Sequence, residues 1–163
     1  MKVYLTLCPL SYAERFVRSA EEKNDIVLTV NGHVARDLAL SRGDLSRFPR
    51  VSIRAKDELG KESLFEGVAL AEILRTAGMK FGKELRGKSL EDYLLVQTED
   101  GYRVVFALPE LDSTFRDNEI LLADGRDGKP LEGTDGRLRL IIPHEKRYAR
   151  WVRQIVALSI CRA

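Results

Sequence analysis

The sequence predicts an α+β domain with mostly antiparallel or mixed sheets and a few short helices. Short runs rich in β-branched and aromatic residues recur along the chain. Turn signals such as Asn31-Gly32 and Glu99-Asp100-Gly101 separate several of them. Helical spacing of apolar residues occurs only in brief stretches.

Ser11 to Lys23 has helical spacing, with Tyr12, Phe16 and Ala20 on one face and Ser11 as N-cap. Ile26 to Val30 reads as a strand, Asn31-Gly32 as a hairpin turn, and Val34 to Leu40 as the partner strand. Ser41 to Phe48 reads as a short helix that Pro49 stops. Val51 to Ala55 alternates as a strand, Lys56 to Lys61 is a polar turn, and Ser63 to Gly67 returns. Val68 to Ala77 carries the best helical face, Leu70, Ile73, Leu74 and Ala77, with Gly78 as its stop. Tyr93 to Thr98 and Tyr102 to Ala107 form a hairpin about Glu99-Asp100-Gly101. Pro109 to Phe115 is a short helix or turn, Asn118 to Ala123 a strand, and Gly125 to Gly136 a glycine-rich loop. Leu138 to Ile142 and Trp151 to Ile160 complete the strands. In such a last strand Arg153 shares a face with Trp151.

The 163 residues suit one domain over 25–163, preceded by an N-terminal extension, 1–24, with an apolar start and a short helix. The composition, 44% hydrophobic and 32% charged, is that of a soluble globular protein. A net charge of +2, with cations and acids interleaved, gives no basic face, so nucleic acid is not an expected partner. No apolar run approaches the roughly 20 residues of a membrane span. Met1 to Leu10 is shorter than a secretory signal of about 15–30 residues. Cys8 and Cys161 form no CxxC pair, which argues against a zinc or iron–sulfur site; a bridge between them stays open.

Phosphate-binding glycine motifs and a GxSxG nucleophile elbow are absent. Asp124 to Gly128 lacks the spacing and closing Glu of a calcium loop and reads as a plain turn. The acidic pairs lie in turns and helix ends, where solvated carboxylates belong. His33 reads as a surface histidine. One stretch stands out. Between Pro143 and Gln154, Lys146, Arg147, Arg150 and Arg153 surround the single Trp151, and His144 opens the loop. Arg offers a planar fork for phosphate or carboxylate, so Arg150, Arg147, Lys146 and His144 are the candidate anion or cofactor site. A solvated corner is the alternative.

Taken in order, these segments resemble the oxidoreductase molybdopterin-binding domain of sulfite-oxidase-like enzymes over most of Ile26 to Ile160. Leu28-Thr29-Val30-Asn31-Gly32-His33-Val34 is similar to that family's opening hairpin. Phe65-Glu66-Gly67-Val68-Ala69-Leu70 through Ala77-Gly78 resembles "W-x-G-V-P-L-x-x-L-L-x-x-A-G". Asp127-Gly128-Lys129-Pro130-Leu131 and Gly136 to Pro143 resemble "N-G-x-P-L … G-x-P-L-R-L-V-V-P", and Arg150-Trp151-Val152 stands at "V-K-W-V". The resemblance implies a sulfite-oxidase-like fold, an exported or periplasmic location, and molybdopterin as cofactor, with Arg150 at a basic position near the cofactor's phosphate. Leu38-Ala39-Leu40 through Asp44 to Pro49 resembles the family's strand and short helix ending in Leu-Pro, with Phe48 for the Leu; after it the resemblance implies a cysteine thiolate on molybdenum, where this chain has Val51-Ser52-Ile53-Arg54-Ala55-Lys56-Asp57-Glu58 and no cysteine. Metal ligation by the protein is therefore not expected. The reading that follows is a catalytically degenerate member that binds an anionic small molecule or a redox partner protein. The alternatives are an active molybdopterin-dependent oxidoreductase and a structural protein with no ligand.

Overall fold

A computed structural model describes residues 25–117 and 119–163. The predicted helix over Ser11 to Lys23 and the N-terminal extension lie outside them, as does Cys8 of the considered bridge. Among the described residues ten strands form two sheets. The first contains β1 (Ile26–Gly32), β2 (Leu38–Ser41), β5 (Asp92–Thr98), β6 (Arg103–Ala107) and β10 (Ile155–Arg162), in the order β2-β1-β10-β5-β6. β1 and β10 run parallel, and the other pairs antiparallel, so this sheet is mixed. The second contains β3 (Arg50–Lys56), β4 (Glu62–Ala69), β7 (Leu121–Arg126) and β8 (Lys129–Pro130) in that order, with β9 (Arg139–Ile141) also paired to β7. Two short helices among the described residues, α1 (Arg42–Ser46) and α2 (Leu70–Thr76), join the strands. The α+β expectation of mixed and antiparallel sheets with few helices holds.

Leu28, Val30, Leu94, Val96 and Leu158 from the first sheet pack in one cluster with Phe65, Leu121, Leu122 and Leu140 from the second. Burial alternates along β5 as the pleat requires. Ser41 caps α1 through a reciprocal pair of bonds with Asp44. Gly78 (φ +95) ends α2 in a Schellman turn: its N–H donates to the Arg75 carbonyl, and that of Met79 to Leu74.

Several boundaries differ from the sequence reading. Asn31-Gly32 is not a two-residue hairpin. The His33 N–H donates to Ile160, and those of Ala35 and Arg36 to Ala77, so residues 33–37 cross the sheet end before β2 begins at Leu38. Helix α2 starts at Leu70, because Val68 and Ala69 still pair with β7. Strand β7 starts at Leu121 and runs on to Arg126. The predicted loop from Gly125 contains a hairpin: Asp127 and Gly128, both at positive φ, form the two-residue turn into β8. The last strand starts at Ile155, not Trp151. Tyr148–Arg150 is a 3-10 turn, Gln154 has φ 53, and the Val152 carbonyl accepts from Leu140. Arg153 and Trp151 therefore share no strand face.

Candidate functional site

The Pro143–Gln154 stretch and the Val51–Glu58 segment meet. The Tyr148 hydroxyl donates to the Lys56 carbonyl at 3.1 Å. Between them opens a cleft of about 510 Å³, walled by Glu58, Tyr148, Trp151 and Arg153 and, across from these, by Thr98, Asp100 and Tyr102 of the β5–β6 turn. Its volume falls within the roughly 300–1,000 Å³ of small-molecule sites.

Beneath the cleft lies a closed ion network. Asp57 and Glu58 enter it from the β3–β4 turn, Arg126 from β7, Asp135 from the turn before β9, Arg139 from β9, and Arg153 from the closing segment. Arg126 donates through Nη2 to Asp57 (2.7 Å) and through Nε to the Ser63 hydroxyl (2.9 Å). Arg139 donates through Nη1 to Asp135 (2.8 Å) and through Nη2 to Glu58 (3.1 Å). Arg153 pairs with Glu58 and lies 3.5 Å from Asp135. Three guanidiniums thus meet Asp57, Glu58 and Asp135, and exposed Asp127 lies 4.0 Å from Arg126 at the edge of the network. Arg139 is 1% exposed, and its guanidinium lies 5.8 Å from the Phe65 ring centre and 5.6 Å from that of Trp151. Its Nε has no partner, the one such buried side-chain atom among the described residues. Burial lowers the Arg139 pKa, and Asp135 opposes the shift.

Burial works to raise the Asp57 carboxyl, but the Arg126 bond and the Lys61 and Leu59 N–H groups prevail and hold it below its ordinary value. A carboxyl with a depressed folded pKa adds stability that is complete above its unfolded pKa, about 3.9, and is lost as pH falls through the folded one. Stability should therefore decline below about pH 4. Asp57→Asn should flatten that acid limb in urea titrations at stepped pH. An unchanged limb would show that Asp57 is not linked to folding.

The sequence-predicted cations do not converge. Arg150 pairs with Glu110 and, at 3.4 Å, with Glu145, and its guanidinium sits 4.3 Å from the Phe106 ring centre. His144, exposed and at φ 66, shares with Arg150 only a small pocket of about 30 Å³. Lys146 and Arg147 are exposed and line neither that pocket nor the cleft. Arg54 pairs with Glu62 at the surface, and Lys56 offers the neighbourhood only its carbonyl. His33 is half exposed, as expected of a surface histidine, with Nδ1 3.1 Å from buried Asp92, which Arg162 also holds. The sequence reading missed Asp57, Glu58, Arg126, Asp135 and Arg139. One signal was available: Arg139 stands inside the apolar run Leu138 to Ile142, and a charge inside a buried strand needs opposite charges around it.

Residues 16–161 match the family model of the oxidoreductase molybdopterin binding domain. The chain belongs to that family. No curated protein matches the sequence. Among solved structures, the molybdopterin-binding-domain chain is similar to the sulfane dehydrogenase SoxCD from Paracoccus pantotrophus, with a TM-score of 0.66 and 23% identity. The similarity covers 85% of this chain and 38% of that one, so this chain spans well under half of its neighbour's length. At that identity the likeness shows the sulfite-oxidase-like fold alone. No helix among the described residues is long and apolar enough to cross a membrane.

The family's cofactor can be tested against the donors present. In the segment where a thiolate would stand, the polar side chains nearest the cleft are Asp57 and Glu58, and Arg126, Arg139 and Arg153 already hold them. Cys161, the only cysteine among the described residues, lies at the far end of β10, roughly 20 Å along the strand from Gln154. No group of three or more His, Cys, Asp or Glu is placed to hold a metal among the described residues. At the position implied for the phosphate, two carboxylates hold Arg150. This donor set does not fit a thiolate-held molybdenum cofactor.

Proposed function

We propose that this molybdopterin-binding-domain protein is a binding module without molybdenum chemistry, and that its ligand enters the cleft between the β3–β4 turn and the Tyr148–Gln154 segment. The observation that carries this reading is the pair Asp57 and Glu58. They stand in the segment that bears the family's thiolate, and both are committed to arginines beneath the cleft. A soft thiolate helps fix a metal and its potential. Carboxylates already bound to guanidiniums offer no comparable ligand, and replacing those guanidiniums would leave buried charges unmatched. Lys146 and Arg147 do not share a pocket with Arg150 and His144, and two carboxylates hold Arg150, which favours the cleft over Arg150 as the binding place.

The test is the molybdenum content per chain, by mass spectrometry, and the fluorescence of released pterin, on protein made in a host that synthesises the cofactor. Molybdenum far below one atom per chain, with no pterin, is expected. Near-stoichiometric molybdenum with pterin would overturn the proposal and restore the oxidoreductase reading.

A further inference from the structure

Three charged side chains line the cleft: Glu58, Asp100 and Arg153. Arg139 and Arg153 hold Glu58, and Arg153 also faces Asp135. Asp100 differs. Its carboxylate accepts from the Thr98 hydroxyl and, at 3.2 Å, from the Tyr102 N–H, and among the described residues no cation pairs with it. These bonds hold its carboxyl below the usual carboxylate range. Asp100 is thus the one charged side chain of the cleft wall that no opposite charge pairs with among the described residues.

Aromatic side chains line the same cleft. Tyr102 comes from the β5–β6 turn, and its hydroxyl donates across the mouth to the Ala149 carbonyl at 3.4 Å. Tyr148 meets Trp151 edge to face, with ring centres 5.0 Å apart. Tyr102 is 50% exposed and Tyr148 37%, so solvent reaches both rings. Ring faces attract cations through their quadrupole, most strongly where water is excluded, and several rings around one quaternary ammonium are a recurring solution. An oxyanion in the same place would meet the Asp100 charge and find Arg153 already engaged.

We propose that the cleft binds an organic cation, an ammonium group on a small molecule, with the exposed rings of Tyr102 and Tyr148 beside it, buried Trp151 behind Tyr148, and Asp100 as its counter-charge. This rests on the reading of the cleft as a metal-free binding site. The single tryptophan reports directly on it.

Choline, its uncharged tert-butyl isostere and inorganic phosphate are titrated separately, with Trp151 emission and melting temperature as readouts. Choline should give a saturable response, and the isostere should bind about tenfold more weakly or less. Asp100→Asn keeps an acceptor for Thr98 and Tyr102 and should weaken choline by about threefold, less at high salt. Tyr148→Phe keeps the ring and should bind as the parent does, whereas Tyr148→Ala should not. Equal binding of choline and its isostere, an unchanged affinity in Asp100→Asn, a response to phosphate alone, or no response to choline would each overturn the cation assignment. Molybdenum content measured on the same sample separates the failures. Failed choline binding without molybdenum removes the ligand class and leaves the metal-free reading, whereas stoichiometric molybdenum removes the reading beneath it.

Discussion

Arg139→Ala is expected to lower folding stability by about 3 kcal/mol, toward the lower end of what breaking a buried ion pair costs. Arg139 is almost fully buried, bonds to Asp135 and Glu58, and lies over both Phe65 and Trp151. Its removal leaves Asp57, Glu58 and Asp135 facing two guanidiniums beneath the cleft. The cost stays below the upper range because Arg153 still reaches Glu58, whose side chain is a third exposed. Urea unfolding should show a lower midpoint, and melting should fall by about 6–12 °C for a chain of this size. Arg139→Met separates the two contributions. It restores the packed stem but not the charge, so it should recover part of the loss. If Arg139→Ala changes stability by less than about 1 kcal/mol, the network does not hold the cleft floor together.

Gly67→Ala should cost about 2–3 kcal/mol through overpacking. Gly67 sits in β4 where its pairing with β7 shifts register. A Cβ there would collide with the Leu122 carbonyl and approach the Ala123 Cα to 2.7 Å. Both obstacles are backbone, so no rotamer relieves them and the two strands must separate. Gly43→Ala is the matched control. Gly43 lies in α1, and the nearest atom to its added Cβ would be the Ser41 hydroxyl at 3.6 Å, so this change should be neutral or slightly stabilising. A Gly67→Ala protein that melts with the parent would contradict the close β4–β7 approach.

Local patterns carried most of the strands and both described helices. The face Leu70, Ile73, Leu74 and Ala77 with Gly78 behind it located α2 to within two residues at its start. Turn chemistry was legible only in part. Asn31-Gly32 and Asp127-Gly128 carry the same hairpin signal, yet only the second makes a two-residue turn. The first is drawn past its own strand because His33 and Ala35 find carbonyls on Ile160 and Ala77, more than 40 residues along the chain. Trp151 to Gln154 has the composition of a strand, but its backbone bonds to residues 135 and 140, and Gln154 adopts a positive φ. The parallel pairing of β1 with β10 joins segments from opposite ends of the chain, which no local period announces.

The site shows the same division. The absence of a cysteine from Val51 to Glu58 was plain in the sequence, and so was the cluster around Trp151. The partners that absorb those charges were not. Glu110 comes from the turn after β6 to hold Arg150, while Glu58 reaches from the β3–β4 turn to Arg139 and Arg153. Such pairings depend on the tertiary placement of turns far apart in sequence. A list of cations therefore suggested an anion site where the fold supplies neutralising carboxylates.

What occupies the space above Glu58 separates a metal-free binding module from a molybdenum enzyme. Crystals of protein made in a molybdopterin-producing host, measured at the molybdenum absorption edge, test it most directly. Glu58 is expected to be held by Arg139 and Arg153, with no anomalous peak in the cleft. A molybdenum peak within bonding distance of residues 56–58, with those arginines turned away, would contradict it.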